Sequence, residues 1–429
     1  MQIERTAALH NLGCKVNAYE TEVMAGLLKN AGYRLVDFDE KADVYVINTC
    51  SVTNIADKKS RQMIRQAKRR NEDACVVACG CFVNTAEAHV LDDLPIDIRI
   101  GNNERGKLIS LLSEFFHEGE GAGNEAYTTH LSAVSDINQK GVGFEDLTLS
   151  ENSGHTRAFI KVQDGCDMFC TYCIIPFARG RARSKDKDSV VDEVRGLAAA
   201  GYREIIINGI HLSSYGRDTG SSLLELIKAV HEVDGVERIR LGSLEPGIVT
   251  EEFAGELAAL GKICPHFHLS LQSGSDTVLK RMNRRYDTAT YLQKCDIIRK
   301  HFEHPAITTD VITGFPGETE EEFAETFEFV KKAGFYELHV FPYSVREGTK
   351  AAEMPGQLTE SVKKRRANIL IDLGAVMSEE FRAYYAGREV EVLFEEKVGD
   401  EYVGYSREYV RYSCKSDEDL INRICRITV

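Results

Sequence analysis

The feature that most restricts how this chain can fold is an alternation of short apolar runs with stretches of helical periodicity, and it occurs twice. Between Thr6 and Phe116, Ala7 to Leu12 precedes Ala18 to Ala31, Val44 to Ile47 precedes Ile55 to Arg70, and Cys75 to Ala78 precedes Thr85 to Leu91. Such an order favours a parallel sheet covered by helices. From Thr156 the pattern resumes with six strand candidates: Phe159 to Val162, Glu204 to Asn208, Arg238 to Leu241, Phe267 to Leu271, Ile307 to Ile312 and Leu338 to Phe341. Helical stretches separate them, among them Val190 to Ala200, Leu223 to Val233, Tyr291 to His301 and Glu320 to Ala333. Six such units predict a barrel or open partial barrel of parallel strands, with its active site at the strand carboxyl ends.

The remaining segments read differently. His117 to His155 is rich in Gly, Glu, Ser and Asn and weakly periodic, so a linker is expected there. A helix rich in basic residues is expected over Thr359 to Tyr385. The tail from Arg388, with "EVEVLFEE", "EYVGYSREYVRY" and "INRICRITV", reads as short strands of a small all-β module. The expected fold class is therefore α/β, in four parts. An N-terminal parallel-sheet domain covers 1–116, a linker 117–155, a partial (β/α)6 TIM-like barrel 156–385 and a small β-barrel 386–429. A length of 429 residues fits more than one core.

Composition limits the chemistry. No apolar run reaches the roughly 18 residues of a membrane span, and Met1 to Arg5 is polar and charged where a signal peptide would be basic and then apolar. The expectation is a cytoplasmic protein with no membrane partner. Its twelve cysteines should then stay reduced, and spaced groups of them point to metal ligation before disulfides. A net charge of −14 means that any nucleic-acid contact must come from a local basic patch.

Cys166, Cys170 and Cys173 lie in "QDGCDMFCTYC", directly after the first barrel strand. Three thiolates so placed can hold three irons of a 4Fe-4S cluster and leave the fourth iron open. An open iron can chelate the amino and carboxylate groups of a methionine moiety, and an electron passed through it can break the adjacent sulfonium bond. A structural zinc site would want a fourth ligand, and no Cys or His follows at zinc-finger distance. Cys14, Cys50 and Cys81 are far apart, yet each follows a predicted strand of the N-terminal domain, and ends of parallel strands converge at one sheet edge. Spacing alone leaves buried structural cysteines an equal alternative, with Cys75 and Cys79 competing for the third position. Cys81 is preferred because it lies beyond the strand.

A strand followed by C-x3-C-x2-C, with Tyr172 before the last cysteine, resembles the radical S-adenosylmethionine superfamily. Gly13-Cys14, Asn48-Thr49-Cys50 and Gly80-Cys81 match the three N-terminal motifs of its methylthiotransferase family. "LGCKVNAYETE", "GIHLSSYG" and "RIRLGSLEP" are similar to the branch acting on N6-threonylcarbamoyladenosine beside the anticodon. The isopentenyladenosine branch instead reads Gly-Cys-Gln-Met-Asn at the first site, and the branch acting on a ribosomal protein Gly-Cys-Pro-Lys-Asn.

The resemblance implies two 4Fe-4S clusters, on Cys14, Cys50 and Cys81 and on Cys166, Cys170 and Cys173. It implies S-adenosylmethionine as cofactor, tRNA as partner, an electron donor such as flavodoxin or ferredoxin, and a C-terminal TRAM-type RNA-binding module. One S-adenosylmethionine would methylate a sulfur at the N-terminal cluster, and another would yield the radical that activates C2 of the adenine.

Tyr172 is expected against the adenine of the cofactor, Glu245 and Gln272 in its pocket, and Arg183 or Arg346 on a carboxylate. Asn208 and Gly209, in "NGIHLSSYG" at a strand end, are further cofactor candidates, although the glycine could equally serve a turn. Basic stretches at Asp57 to Arg70, Ala178 to Lys187 and Lys363 to Arg366 are candidate phosphate contacts, each with a solvated helix face as the alternative. Tyr405, Tyr409 and Tyr412 with Arg407 and Arg411 have the composition that suits unstacked bases, and alternating strand packing would produce much the same pattern. Cys264, Cys295, Cys414 and Cys425 are expected to be inert.

Overall fold

The computed structural model describes residues 5–121, 131–149 and 156–429, so parts of the expected linker and residues 1–4 of the polar N-terminus lie outside the described residues. The N-terminal unit runs β1 (Thr6–Asn11), α1 (Lys15–Asn30), β2 (Arg34–Leu35), β3 (Val44–Thr49), α2 (Asn54–Arg70), β4 (Cys75–Gly80), α3 (Cys81–Thr85), α4 (Ala88–Asp92), β5 (Ile98–Ile100), α5 (Leu108–Gly121) and β6 (Leu131–Ala133). Its six strands are parallel in the order β2-β1-β3-β4-β5-β6. β3 and β4 are buried along their whole length because successive side chains feed two cores. Val44, Val46, Cys75 and Val77 pack with Met24 and Leu28 of α1 and Leu108 and Leu112 of α5. Tyr45, Ile47, Val76 and Ala78 pack with Ile64 and Ala67 of α2.

Within the stretch expected to be a linker, Leu131–Ala133 forms the edge strand, registered Ile98↔Leu131 on β5. Three residues carry too little periodicity to be found by pattern, and the pairing is supplied by a preformed edge. Leu149 from the same stretch is buried in the central core.

The central unit contains β7 (Arg157–Asp164), α6 (Ile175–Arg179), β8 (Arg183–Ser184), α7 (Lys187–Ala199), β9 (Glu204–Gly209), α8 (Leu223–His231), β10 (Arg238–Leu241), α9 (Glu251–Ala259), β11 (His266–His268), α10 (Asp276–Arg281), α11 (Thr288–His301), β12 (Ala306–Thr313), α12 (Glu320–Ala333), β13 (Glu337–Pro342) and α13 (Glu360–Ala383). β7, β9 and β10 are parallel, as are β11, β12 and β13. Isolated parallel bridges, Ile239↔Ile263 and Leu244↔Leu269, join the two sheets. On β7 to β12, Ala158, Ile160, Ile205, Ile207, Ile239, Phe267 and Ile307 face the helices in one core. The alternate residues Lys161, Arg240, His268 and Asp310 make the other face polar.

The tail forms β14 (Glu389–Val398), β15 (Glu401–Ser406), β16 (Arg411–Cys414) and β17 (Ile424–Thr428), an antiparallel sheet in the order β16-β15-β14-β17. Among the described residues no helix is long and apolar enough to cross a membrane.

Candidate active site

Cys166, Cys170 and Cys173 occupy the loop that leaves the carboxyl end of β7. The loop is held by backbone bonds from Cys166 to Gly180 and from Cys173 to Cys170, each 3.0 Å. Phe169 adopts a φ of +48° between them, a conformation that costs roughly 1–3 kcal/mol and marks functional loops. The Met168 N–H donates to Cys166 Sγ at 3.5 Å, and Arg284 Nη1 donates to Cys170 Sγ at 3.3 Å. Burial pushes the Cys166 thiol up to about 11 and the Cys173 thiol up to about 12. These sulfurs therefore need nearby positive charge to ionise, which a coordinated iron would supply.

The dispersed trio converges as well. Cys14 ends the turn after β1, Cys50 follows β3 and Cys81 opens α3 after β4, and the three thiols are electrostatic neighbours of one another. Burial raises Cys50 to about 11 and also lifts Cys14. Two glycines permit the approach. Gly13 has a φ of +104°, and a Cβ there would lie 2.8 Å from Cys50 Sγ. Gly80 has a φ of +96°, and its Cβ would lie 2.5 Å from the Thr49 carbonyl oxygen. Cys75 and Cys79 point into the sheet core, with Cys79 Sγ 3.8 Å from Met24 Sδ.

Among the described residues, one group of three ligand-bearing side chains brings its atoms within 4.8 Å of one another, and it is His268, Asp310 and His339. Both cysteine trios are wider than a single ion requires. Three soft, desolvated thiols with N–H donors aimed at sulfur, set further apart than single-ion ligands, fit the corners of an iron-sulfur cube.

A buried ionic network joins the trios. Arg179, fully buried on α6, reaches Glu20 Oε1 at 2.9 Å, Asp164 Oδ1 at 3.1 Å and Asn17 Oδ1 at 2.6 Å. Lys161 bonds the same two carboxylates, at 3.0 and 3.2 Å, and Arg105 reaches Glu20 at 2.7 Å. Burial alone would raise the Glu20 carboxyl, but Arg105, Arg179 and Lys161 hold it down at about 2. Asp164, two residues before Cys166, is held well below the carboxylate range against burial by Arg179, Lys161 and Arg183. Asn102 adds a second link, donating to Ala178 O at 2.8 Å and lying 3.7 Å from Cys81 Sγ.

Arg179, Glu20, Asp164, Asn102 and Arg284 were not singled out from the sequence. Charged residues inside apolar-periodic elements were the available signal.

The expected cofactor residues surround the strand ends. Asn208 is buried and accepts from the Gly209 N–H at 3.0 Å. A Cβ on Gly209 would meet Gln163 at 2.9 Å. Gln272 adopts a φ of +73° while its backbone bonds Asp310 and Ile312. Glu245 Oε1 is buried without a hydrogen-bond partner, as is Nε2 of His211, which the sequence reading passed over within its motif. His211 lines a hollow of about 230 Å³ with Asp167, Met168, Ser214, Arg217 and Arg285. Burial, with Arg217 beside it, lowers its imidazole to about 4, so it is neutral.

Tyr172 packs edge-on to Phe315, with ring centroids 6.5 Å apart. Arg183 is buried 4.0 Å from Asp164, with Nε and Nη2 lacking hydrogen-bond partners. Arg346 reaches across to the N-terminal unit, bonding Asp57 Oδ2 at 2.8 Å, Ser51 Oγ at 2.9 Å and Asn54 Oδ1 at 3.1 Å.

The three basic stretches separate clearly. In 178–187, Arg179 and Lys185 are buried in ion pairs, and in 363–366, Arg366 is paired with Glu318 and Glu320. On α2, Lys58, Arg61, Arg65 and Arg69 line an accessible hollow of about 290 Å³, and none of them forms an ion pair among the described residues. The tail aromatics are engaged internally. Tyr405 and Tyr409 stack at 4.8 Å, Arg157 lies over both, and Arg240 lies 4.7 Å from the Tyr409 ring. Arg407 bonds the carbonyls of Gly261 and Ile263. For Tyr405, Tyr409 and Arg407 the packing alternative therefore holds, because these residue types satisfy the polar face of the central strands.

Residues 160–330 match the model described as "Radical SAM superfamily", and residues 6–101 match "Uncharacterized protein family UPF0004". The chain is 42% identical to "Threonylcarbamoyladenosine tRNA methylthiotransferase MtaB" of Bacillus subtilis, across 99% of this chain and 93% of that protein. A "tRNA-2-methylthio-N(6)-dimethylallyladenosine synthase" of Alkaliphilus oremlandii is 33% identical over 97% of this chain and 88% of its own length.

Among solved structures, the radical S-adenosylmethionine methyltransferase TsrM of Kitasatospora setae, with cobalamin and a [4Fe-4S] cluster bound, superposes with a TM-score of 0.58 at 15% identity. That match covers 82% of this chain and 74% of the other, and it carries the fold alone. With one cysteine trio inside each matched region and 42% identity to a tRNA methylthiotransferase across 99% of its length, the chain belongs to the radical S-adenosylmethionine tRNA methylthiotransferase family.

Proposed function

We propose that this chain places a methylthio group on N6-threonylcarbamoyladenosine beside the anticodon of tRNA, using S-adenosylmethionine and two 4Fe-4S clusters held by the two cysteine trios. The observation that carries this reading is the pair of cysteine trios joined through the buried Arg179, Asn17, Glu20 and Asp164. When bound, the cluster at Cys166, Cys170 and Cys173 supplies the electron that splits S-adenosylmethionine into methionine and a 5′-deoxyadenosyl radical.

The chain's own residues do the positioning. Arg284 and the Met168 N–H hold the sulfurs of Cys170 and Cys166 by hydrogen bonds, the kind of contact that sets a cluster's potential. The orphaned Glu245 carboxylate oxygen and the strained Gln272 offer polar contacts to a cofactor at the strand ends. Arg179 keeps the two units in register, and a fixed geometry between sulfur donor and radical source accounts for much of the rate. The unpaired cations of α2 bind tRNA phosphates.

In this reading the central strands form a partial (β/α)6 barrel and the tail is a TRAM-type module. The protein works in the cytoplasm with a flavodoxin- or ferredoxin-like electron donor. Its parts are an N-terminal cluster domain over 1–116, a connecting segment over 117–155, a barrel over 156–385 and a module over 386–429. The test is nucleoside mass spectrometry of tRNA from a strain lacking the native enzyme. Adding this chain back should restore 2-methylthio-N6-threonylcarbamoyladenosine, and an unchanged level rejects the assignment.

A further inference from the structure

The polar face of the central strands carries a group of side chains that radical formation does not use. Lys15, the residue after Cys14, projects its Nζ to 5.9 Å from the Phe159 ring and 5.8 Å from the Tyr409 ring, and it forms no ion pair among the described residues. His268 and His339 stack across β12 with centroids 5.5 Å apart. His268 is fixed by Thr308 Oγ1 at 3.0 Å on one nitrogen and faces Asp310 Oδ2 at 3.4 Å with the other.

Behind them sits buried His266, whose Nδ1 has no partner. Burial, Arg240, Lys15, His268 and His339 together push its imidazole well down, so all four lie within electrostatic reach of it, and its ring lies 5.1 Å from that of Tyr409, beside which Lys15 sits. Arg240 is already engaged by Glu204 and the tail carbonyls of Ser406 and Arg407. Lys15 is therefore the cation here left for a ligand. Phe341, 48% exposed, lies two residues further along β13 toward its carboxyl end.

Asp310 and His339 lie three residues inside the carboxyl ends of β12 and β13, roughly 10 Å along the strands, while His268 closes β11. An adenine substituent directed inward from a base held at the ends points toward this group. A threonylcarbamoyl group ends in a carboxylate, whereas a dimethylallyl group has no charge and no hydrogen-bonding atom.

We propose that Lys15, His268 and His339 form the recognition site for the threonyl carboxylate of the substrate. The inference rests on the assignment of threonylcarbamoyladenosine as the modified base and adds the residues that select it. Lys15 supplies the charge, His339 a hydrogen bond, and Asp310 and Thr308 orient His268 so that the pair of rings keeps its place. These are specificity residues and take no part in radical formation.

The test uses cluster-loaded full-length protein and two anticodon stem-loop RNAs, one carrying threonylcarbamoyladenosine as the free acid and the other its methyl ester. Wild-type protein should methylthiolate the acid with kcat/KM at least roughly tenfold above the ester, the difference lying mainly in KM. Lys15→Met and His339→Leu should each bring the two substrates close to parity. Equal turnover of acid and ester by the wild-type protein overturns the proposal, and so does an undiminished preference in both variants. The wild-type comparison does not depend on any variant folding. If the wild-type protein releases 5′-deoxyadenosine but modifies neither RNA, the substrate assignment itself fails.

Discussion

The two cysteine trios come together from opposite sequence arrangements. Cys166, Cys170 and Cys173 lie within eight residues, on one loop shaped by its own backbone bonds and by a strained Phe169. Cys14, Cys50 and Cys81 meet because three parallel strands end at one sheet edge and two glycines let the turns touch. The compact site depends on local geometry, the dispersed one on the integrity of a whole sheet. The trios should therefore fail differently.

The largest effect separates them by chemistry. Cys170→Ala should abolish both 5′-deoxyadenosine release and methylthiolation, measured by chromatography of the nucleosides. Cys50→Ala should abolish methylthiolation while S-adenosylmethionine cleavage continues. If Cys50→Ala also ends 5′-deoxyadenosine release, the two sites are not functionally separable and the contrast is lost.

This contrast also explains what was legible in the sequence. The compact trio declared itself by spacing, and all six central strands were found from the alternation of apolar-rich runs with helical stretches, even where, as on β13, the residues are only partly buried or exposed. The dispersed trio was not legible from spacing alone. It needed the expectation of a parallel sheet, together with Gly13 and Gly80, whose positive φ values show why those turns are built on glycine. Two things were hidden. Leu131–Ala133 joins its sheet by edge pairing and not by periodicity. The charges of Arg179, Lys185 and Arg366 read as a surface feature because a sequence does not show which carboxylates will be buried opposite them.

The link between the trios gives the next effect. Removing one partner of a buried ion pair leaves the other charge desolvated, at a cost of about 3–5 kcal/mol. Arg179→Met should lower the unfolding free energy of the cluster-free protein by that amount in denaturant titration, with Glu20 and Asp164 left facing each other. The same network predicts an acid limit. Glu20 is held at about 2 against an ordinary value of 4.5, so its contribution is present above pH 4.5 and is lost as pH falls through about 2. Glu20→Gln should flatten the stability profile of the cluster-free protein across that window. A profile unchanged by the substitution would show that the network does not hold the units together.

A smaller effect compares the sulfur-facing donors of the two sites. Arg284→Leu removes the bond to Cys170, and Asn102→Leu removes the contact with Cys81, in each case leaving all six thiols in place. Losses of about 10–100-fold in cluster retention or activity are typical of such supporting groups. Arg284→Leu should lower 5′-deoxyadenosine formation, and Asn102→Leu should lower methylthiolation alone. Identical phenotypes would mean that the donors act through general stability and not through their own sulfurs.

The smallest effect falls outside both sites, on the helix that starts just after Cys50. Arg61 and Arg65 on α2 lie in the hollow of unpaired cations, whereas Arg365 on α13 is matched by Glu320 at 2.6 Å. A cation already neutralised by a neighbour releases few counterions when RNA binds, while an unpaired one contributes about 0.7–0.9 to the slope of log affinity against log salt. The double variant Arg61→Ala, Arg65→Ala should therefore reduce that slope by about 1.4–1.8 for tRNA in a binding titration, weakening affinity at low salt more than at high salt. Arg365→Ala should leave the slope unchanged. If the two variants behave alike, the phosphate track does not run along α2, and the neighbouring loop at Cys50 would have to meet its tRNA without that guide.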